Sequence, residues 1–248
     1  MSAASMVVDV SQDWAIACEV QERFMKAPRA RTALTHSARC RQMRALGGDC
    51  FDCLPLPGRQ IALAVADASG KGLPAALIIS NVQSSLRTAA LFAPEDVGAV
   101  VTAVNAQLHT SSPADRYATL FYSVFDEDTR TLEYVNAGHH PALIIGGSGA
   151  INLLEAVDPP VGLFADTVYH ARRIELQAGD LILAYTDGVV EATDAAGEEW
   201  GAEGLLAALK ACPSRNPGSI VDSAFAALDR FSRDGQTDDA TILAALVN

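Results

Sequence analysis

Four aspartates carry the chemical signal of this sequence. Asp49 lies in Leu46-Gly-Gly-Asp-Cys-Phe-Asp52, Asp67 in Val65-Ala-Asp-Ala-Ser-Gly-Lys-Gly72, Asp187 in Tyr185-Thr-Asp-Gly188, and Asp238 in Thr237-Asp-Asp-Ala-Thr241. A lone aspartate in a turn is ordinarily a turn-former, because its side chain bonds nearby backbone. Four of them, each beside a glycine, an acid or a small residue and next to an apolar run, are harder to place as solvated charges. A carboxylate faces inward from a strand end only when a cation or hydrogen bonds offset its desolvation, and hard divalent ions prefer oxygen donors. No histidine or cysteine set accompanies them, which favours magnesium or manganese over zinc. Two such ions roughly 3.5 to 4 Å apart, bridged by carboxylates, would lower the pKa of a shared water and stabilise both the attacking and the leaving oxygen of a phosphoryl transfer. The expected chemistry is hydrolysis of a phosphate ester.

Other motifs weigh less. Ser69-Gly-Lys-Gly72 has a phosphate-loop flavour, yet position 65 is Val where the first glycine of such a loop belongs, and Gly72 replaces its Ser or Thr. Ala137-Gly-His-His-Pro141 follows a strand pattern, and without a helical partner for the pair His139 is read first as structural. Cys50 and Cys53 form a C-x-x-C with no second pair to complete a zinc site, so they too are read as structural. A Ser-His-Asp triad lacks its G-x-S-x-G elbow.

The elements around the aspartates follow from hydrophobic period and punctuation. The apolar run 61–66 is a buried strand that delivers Asp67 to a glycine-rich loop, and Pro74 then opens a helix reaching about Leu91. A second helix is expected over 94–108, with Val97, Val100, Val101, Val104 and Leu108 on one face. Residues 117–125 and 131–135 read as a hairpin around a polar loop, and short strands follow at 142–145, 151–154, 168–176, 181–185 and 241–247. Helices are expected over 202–211 and 218–231. The run Gly146-Gly-Ser-Gly149 reads as a hairpin turn. Helices in two blocks among antiparallel-looking strands argue for a layered α+β domain. A leading helix over 12–27 is read either as a docking or dimerisation element or as a cover for the domain's own core.

Composition narrows the setting. The chain has 248 residues, half of them hydrophobic and 19% charged, which suits one large globular domain. Residues 1–15 are assigned to a tail and 16–248 to the domain. A formal charge of -12 repels phosphate backbones and anionic lipid, so neither nucleic acid nor membrane is an expected partner. Five cysteines, an odd number, fit a reduced cytoplasm better than a disulfide framework. No secretory signal or membrane-spanning stretch is read from the sequence.

These residues resemble the PPM superfamily of phosphatases, in its bacterial SpoIIE-like branch, which regulates sigma factors. The motifs run in family order from Val20-Gln21 through Gly47-Gly-Asp-Cys-Phe-Asp52, Asp67-Ala-Ser-Gly-Lys-Gly-Leu-Pro-Ala-Ala76, Asn105, Ala137-Gly-His-His-Pro141, Pro160-Val-Gly-Leu163, Gly179-Asp180, Tyr185-Thr-Asp-Gly-Val-Val-Glu-Ala192 and Asp238-Asp-Ala-Thr241. The resemblance implies a four-layer αββα sandwich of two packed, mainly antiparallel sheets flanked by helices. It implies that Asp49 and Asp67 bridge two Mn2+ or Mg2+ ions, that the carbonyl of Ala68 is a backbone ligand, and that Asp187 and Asp238 bind one ion. Asp52, Gly188 and Asp239 are expected around the ligands, and Gly48 and Gly70 are expected where backbone approaches the cluster. Ser69 stands where eukaryotic relatives carry a histidine, which leaves the general acid unassigned.

The function expected is a metal-dependent protein serine/threonine phosphatase acting in signal transduction, by in-line attack of a metal-activated water. A phosphorylated STAS-domain anti-anti-sigma factor is the expected substrate. The alternative is a catalytically silent binding or sensor module on the same fold, whose signature would be loss of metal aspartates, and none is lost. A metal-dependent nuclease or small-molecule phosphoesterase ranks third, disfavoured by the acidic charge.

Overall fold

The structure is a computed structural model that describes residues 10–25, 33–232 and 236–248. In chain order the elements are α1 (Val10–Phe24), β1 (Leu34–Arg41), β2 (Asp49–Leu56), β3 (Gln60–Ala68), α2 (Leu73–Phe92), α3 (Val97–Ser111), β4 (Ala118–Asp126), β5 (Thr131–Ala137), β6 (Ala142–Ile145), β7 (Ile151–Leu154), β8 (Arg172–Glu175), β9 (Leu181–Tyr185), α4 (Asp187–Val190), α5 (Gly201–Ala211), α6 (Pro217–Phe231) and β10 (Ala240–Val247). They form two five-stranded sheets, ordered β2-β3-β4-β5-β8 and β1-β10-β9-β6-β7. Every ladder within them is antiparallel.

Three apolar cores separate four layers. Alternate residues of β3, such as Ile61, Leu63 and Val65, meet Phe121 and Phe125 of β4 and Leu243 and Ala245 of β10 between the sheets. The other face, with Ala62, Ala64 and Ala66, packs under α2 and α3. The outer face of the second sheet packs on α5 and α6 through Leu205, Val221 and Phe225. Strand geometry enforces this division, since successive side chains leave opposite faces. Each fully buried leucine or phenylalanine contributes about 1.5–3 kcal/mol. The expected αββα sandwich is the architecture found.

Most expected elements are present, with shifted ends. The first helix runs Val10–Phe24 rather than 12–27, with Met25 in a turn and the remaining expected residues, 26–27, outside the described ones. The helix expected from 94 begins instead at Val97, because the Asp96 side chain accepts a bond from the Ala99 amide and caps it there. The strand expected over 168–176 shrinks to Arg172–Glu175. Its upstream part leaves the sheet as Tyr169 turns to α3, its hydroxyl donating to Asn105 Oδ1. Strands β1 and β2 were not anticipated, since β1 is polar and β2 carries Asp49, Asp52 and Pro55 within an apolar pattern. The run 146–149 is the β6–β7 turn, closed by the Gly149 amide bonding the Gly146 carbonyl.

Two local features steady the first sheet. Asp52, 2% exposed, accepts from Arg87 Nε at 2.6 Å, and the same guanidinium donates to the carbonyl of Phe24 at the end of α1. Removing one partner of such a buried pair costs about 3–5 kcal/mol. Cys50 and Cys53 are free thiols on opposite faces of β2, one under α2 and one between the sheets. Among the described residues no helix is long and apolar enough to cross a membrane.

Candidate metal centre

The register of β2 and β3 places Asp49 directly opposite Asp67. Both alternate with residues of the inter-sheet core, so their carboxylates point between the sheets at one open end. Like charges opposite one another destabilise a ladder, and here Asp49 is also removed from water while Asp67 is half-buried. Asp49 is 1% exposed. Its Oδ2 accepts two hydrogen bonds from the second sheet, from Thr186 Oγ1 and Thr241 Oγ1, each 2.7 Å. Its Oδ1 is buried with no partner.

Asp187 opens the single turn α4 immediately after β9, and Asp238 lies just before β10, so adjacent strands carry both to the same end. The charges feel one another. Burial first, then Asp49, Asp187, Asp238 and Asp239, push the Asp67 carboxyl up to about 9. Burial pushes Asp49 up to about 7 against the lowering effect of its two threonines. Burial and then Asp238 raise Asp187, which the Gly188 amide, His140 and Lys71 partly offset. Asp238 Oδ2 meets Lys71 Nζ at 2.6 Å, and its Oδ1 accepts from the Asp239 amide at 2.9 Å.

Asp239 acts on the loop that precedes Asp49. Its carboxylate accepts from the amides of Met43 at 2.7 Å and Gly48 at 2.6 Å. A Cβ on Gly47 would sit 2.6 Å from Asp239 Oδ2, and one on Gly188 would overlap the Asp239 carbonyl. Gln21 of α1 closes the loop from outside, donating to the Gly47 carbonyl at 2.8 Å and accepting from its amide at 3.2 Å. At Gly48 a Cβ would come within 3.2 Å of the Ala68 carbonyl oxygen, which puts that oxygen beside Asp67 and the loop.

Among the described residues no three His, Cys, Asp or Glu side chains stand together in a group that could hold a metal ion. The donor set nevertheless suits a hard divalent cation. An orphaned buried carboxylate oxygen on Asp49 and a facing Asp67 driven above its ordinary range by burial and neighbouring carboxylates both call for positive charge.

The structure brings Asp49, Asp67, Asp187, Asp238 and the Ala68 carbonyl to one end of the sandwich. Asp52 is not among them, because it leaves the opposite face of β2 for Arg87. His139 is buried, with Nδ1 2.8 Å from Thr119 Oγ1, and burial lowers it to about 3, so it is a neutral packing residue. Its Nε2 is buried with no hydrogen-bond partner. Sequence reasoning assigned no role to Thr186, Thr241, Gln21 or Lys71. The only local signal for the threonines was their place in Thr186-Asp187 and Asp238-Asp-Ala-Thr241.

Comparisons with known proteins agree on the neighbourhood. The profile of the family described as Stage II sporulation protein E (SpoIIE) matches residues 57–248. The chain is 29% identical to the phosphoserine phosphatase RsbP of Bacillus subtilis over 152 residues, 60% of this chain and 38% of RsbP. The SiaA-PP2C domain of Pseudomonas aeruginosa superposes with a TM-score of 0.84 at 17% identity, covering 96% of this chain and 97% of that one. The catalytic domain of the serine/threonine phosphatase PstP, solved with two manganese ions, superposes at 0.64 and 18% identity, covering 86% and 97%. The chain spans 36% and 38% of the length of two curated relatives it matches.

Proposed function

The chain belongs to the SpoIIE family of PPM-type phosphatases, and on that premise we propose that it is a divalent-metal-dependent protein serine/threonine phosphatase. The observation that carries the proposal is the facing pair Asp49, buried with one oxygen unpartnered, and Asp67, half-buried and repelled by its neighbours. Asp49, Asp67, Asp187, Asp238 and the Ala68 carbonyl would together hold the divalent cations, Mn2+ or Mg2+. Ions held there supply a water of lowered pKa and charge to offset that of the phosphate.

The chain's own residues orient those donors. Thr186 and Thr241 occupy Oδ2 of Asp49, which leaves Oδ1 turned to the cluster. Asp239 and Gln21 hold the 43–48 loop on either side, which fixes where Asp49 enters the strand. His139, neutral and bonded to Thr119, brings no charge to the ladder partner of Asp67.

The substrate we assign is phosphoserine or phosphothreonine on a STAS-domain anti-anti-sigma factor, in sigma-factor regulation. Support comes from family membership and from RsbP, a relative named as a phosphoserine phosphatase. The five free cysteines suit action in the cytoplasm. The exposed apolar edge of α1, with Trp14, Ile16 and Val20, is a proposed homodimer contact, to be checked by light scattering with and without the helix.

The purified chain with manganese should release phosphate from a phosphorylated STAS-domain protein, and Asp67→Asn should abolish release. No release by the wild-type chain from that substrate or from p-nitrophenyl phosphate would sink the reading.

A further inference from the structure

We propose that Lys71 is a built-in counter-ion for one metal position: its ammonium holds the Asp238 carboxylate in the metal-free protein and must leave before that carboxylate takes up a divalent cation. The inference rests on the metal-centre reading above and adds a residue to it.

Both oxygens of Asp238 are engaged. Oδ2 lies 2.6 Å from Lys71 Nζ, and Oδ1 accepts from the Asp239 amide at 2.9 Å. The ammonium is held a second time, donating to the Thr237 carbonyl at 3.1 Å. Lys71 is therefore fastened to the segment carrying Asp238 by two bonds. A lysine ammonium and a divalent cation seek the same oxygen for the same electrostatic reason, and within a few ångströms they repel each other.

Two glycines border Lys71 in its loop. Gly70 and Gly72 flank it with φ of 97° and 70°, conformations that glycine adopts without a Cβ penalty. The lysine and aspartate side chains keep 43% and 38% of their exposure, so ions reach the pair from solvent. The loop leaves β3 at Ala68 and Lys71 lies four positions after Asp67, so release of Lys71 occurs on the segment that also presents Asp67.

An ordinary exposed ion pair contributes little and controls nothing. This pair differs in that its acid belongs to the cluster, where Asp238 adds to the repulsion felt by Asp67 and Asp187. Lys71 supplies one positive charge there until two arrive with a metal ion.

The test is calorimetric titration of manganese into wild type, Lys71→Met, Lys71→Gln and Lys71→Arg. With the competing charge gone, the Met and Gln variants should bind the weaker ion about tenfold more tightly, while Arg stays near wild type. In EDTA the same two variants should melt lower than wild type, yet gain more from added manganese. Wild-type or weaker manganese binding by both neutral variants overturns the proposal, even if the wild-type chain is an active phosphatase. Failure of every form to bind manganese removes the metal-centre reading and this proposal with it.

Discussion

Asp49 and Asp67 are ladder partners, one from β2 and one from β3, and their carboxylates lie side by side between the two sheets. A folded chain tolerates such a pair at a cost in stability, and the cost marks the place where a cation is expected.

Replacing Asp67 by Asn should separate stability from function. The substitution removes a half-buried carboxyl that burial and four other carboxylates disfavour in its ionised form. In EDTA at pH 8 the variant should be more stable by at least about 1 kcal/mol, roughly 2–4 °C in melting temperature for a chain of this size. Manganese should then add little. A variant that melts lower than wild type in EDTA contradicts the claim that this carboxylate is under electrostatic strain.

Thr241→Val should weaken metal binding without touching a proposed ligand. The hydroxyl donates to Asp49 Oδ2, and partners that orient a ligand are commonly worth about 10–100-fold in metal affinity. Thr241→Ser, which keeps the donor, should restore most of the loss. Equal manganese affinity in Val and wild type, read by calorimetry, would show that Asp49 needs no orientation from the second sheet.

Gly188→Ala should damage the site through backbone alone. A Cβ there would overlap the carbonyl of Asp239, whose side chain holds the amides of Met43 and Gly48. Overpacking of this kind costs about 1–3 kcal/mol. The urea midpoint should fall at constant slope, and manganese affinity should fall with it. An unchanged midpoint would mean that the two segments part easily.

Stability should respond to pH in two opposite ways. The folded carboxyls of Asp67 and Asp49 sit near 9 and 7, above their unfolded value of 3.8. Their ionic penalty is therefore full above about pH 9 and is relieved as pH falls towards 4, so the metal-free protein should gain stability over that descent. Manganese stabilisation should follow the reverse course and grow with pH, because the ligands must be deprotonated. His139 works against the gain at the acid end. Its folded value near 3 lies below the unfolded 6.5, so its contribution is whole above 6.5 and is lost as pH falls from there towards 3. Replacing His139 by Gln should therefore steepen the gain between pH 6.5 and 4, and denaturant titrations in EDTA from pH 4 to 9 read both effects.

The amino-acid sequence by itself determined a good deal. The apolar period placed β3, α2, β9 and α6 to within a residue or two, and the aspartates at the ends of apolar runs singled out Asp49, Asp67, Asp187 and Asp238. It failed at β1, whose polar residues hide an edge strand, and at β2, where the carboxylates that matter also break the pattern a strand is recognised by.

Only the tertiary structure decided which oxygens meet which donors. Thr186 and Thr241 reach Asp49 across 137 and 192 residues of chain, Asp239 reaches Gly48 across 191, and Lys71 of one sheet's loop closes on Asp238 of the other's. Local spacing holds no trace of such pairs. They follow from strand register and from how the two sheets are stacked, and a slip of one residue in either ladder would turn Asp49 or Asp67 to the opposite face. Residue types set what chemistry the chain can do; the packing of β2 and β3 against β9 and β10 sets where that chemistry is assembled.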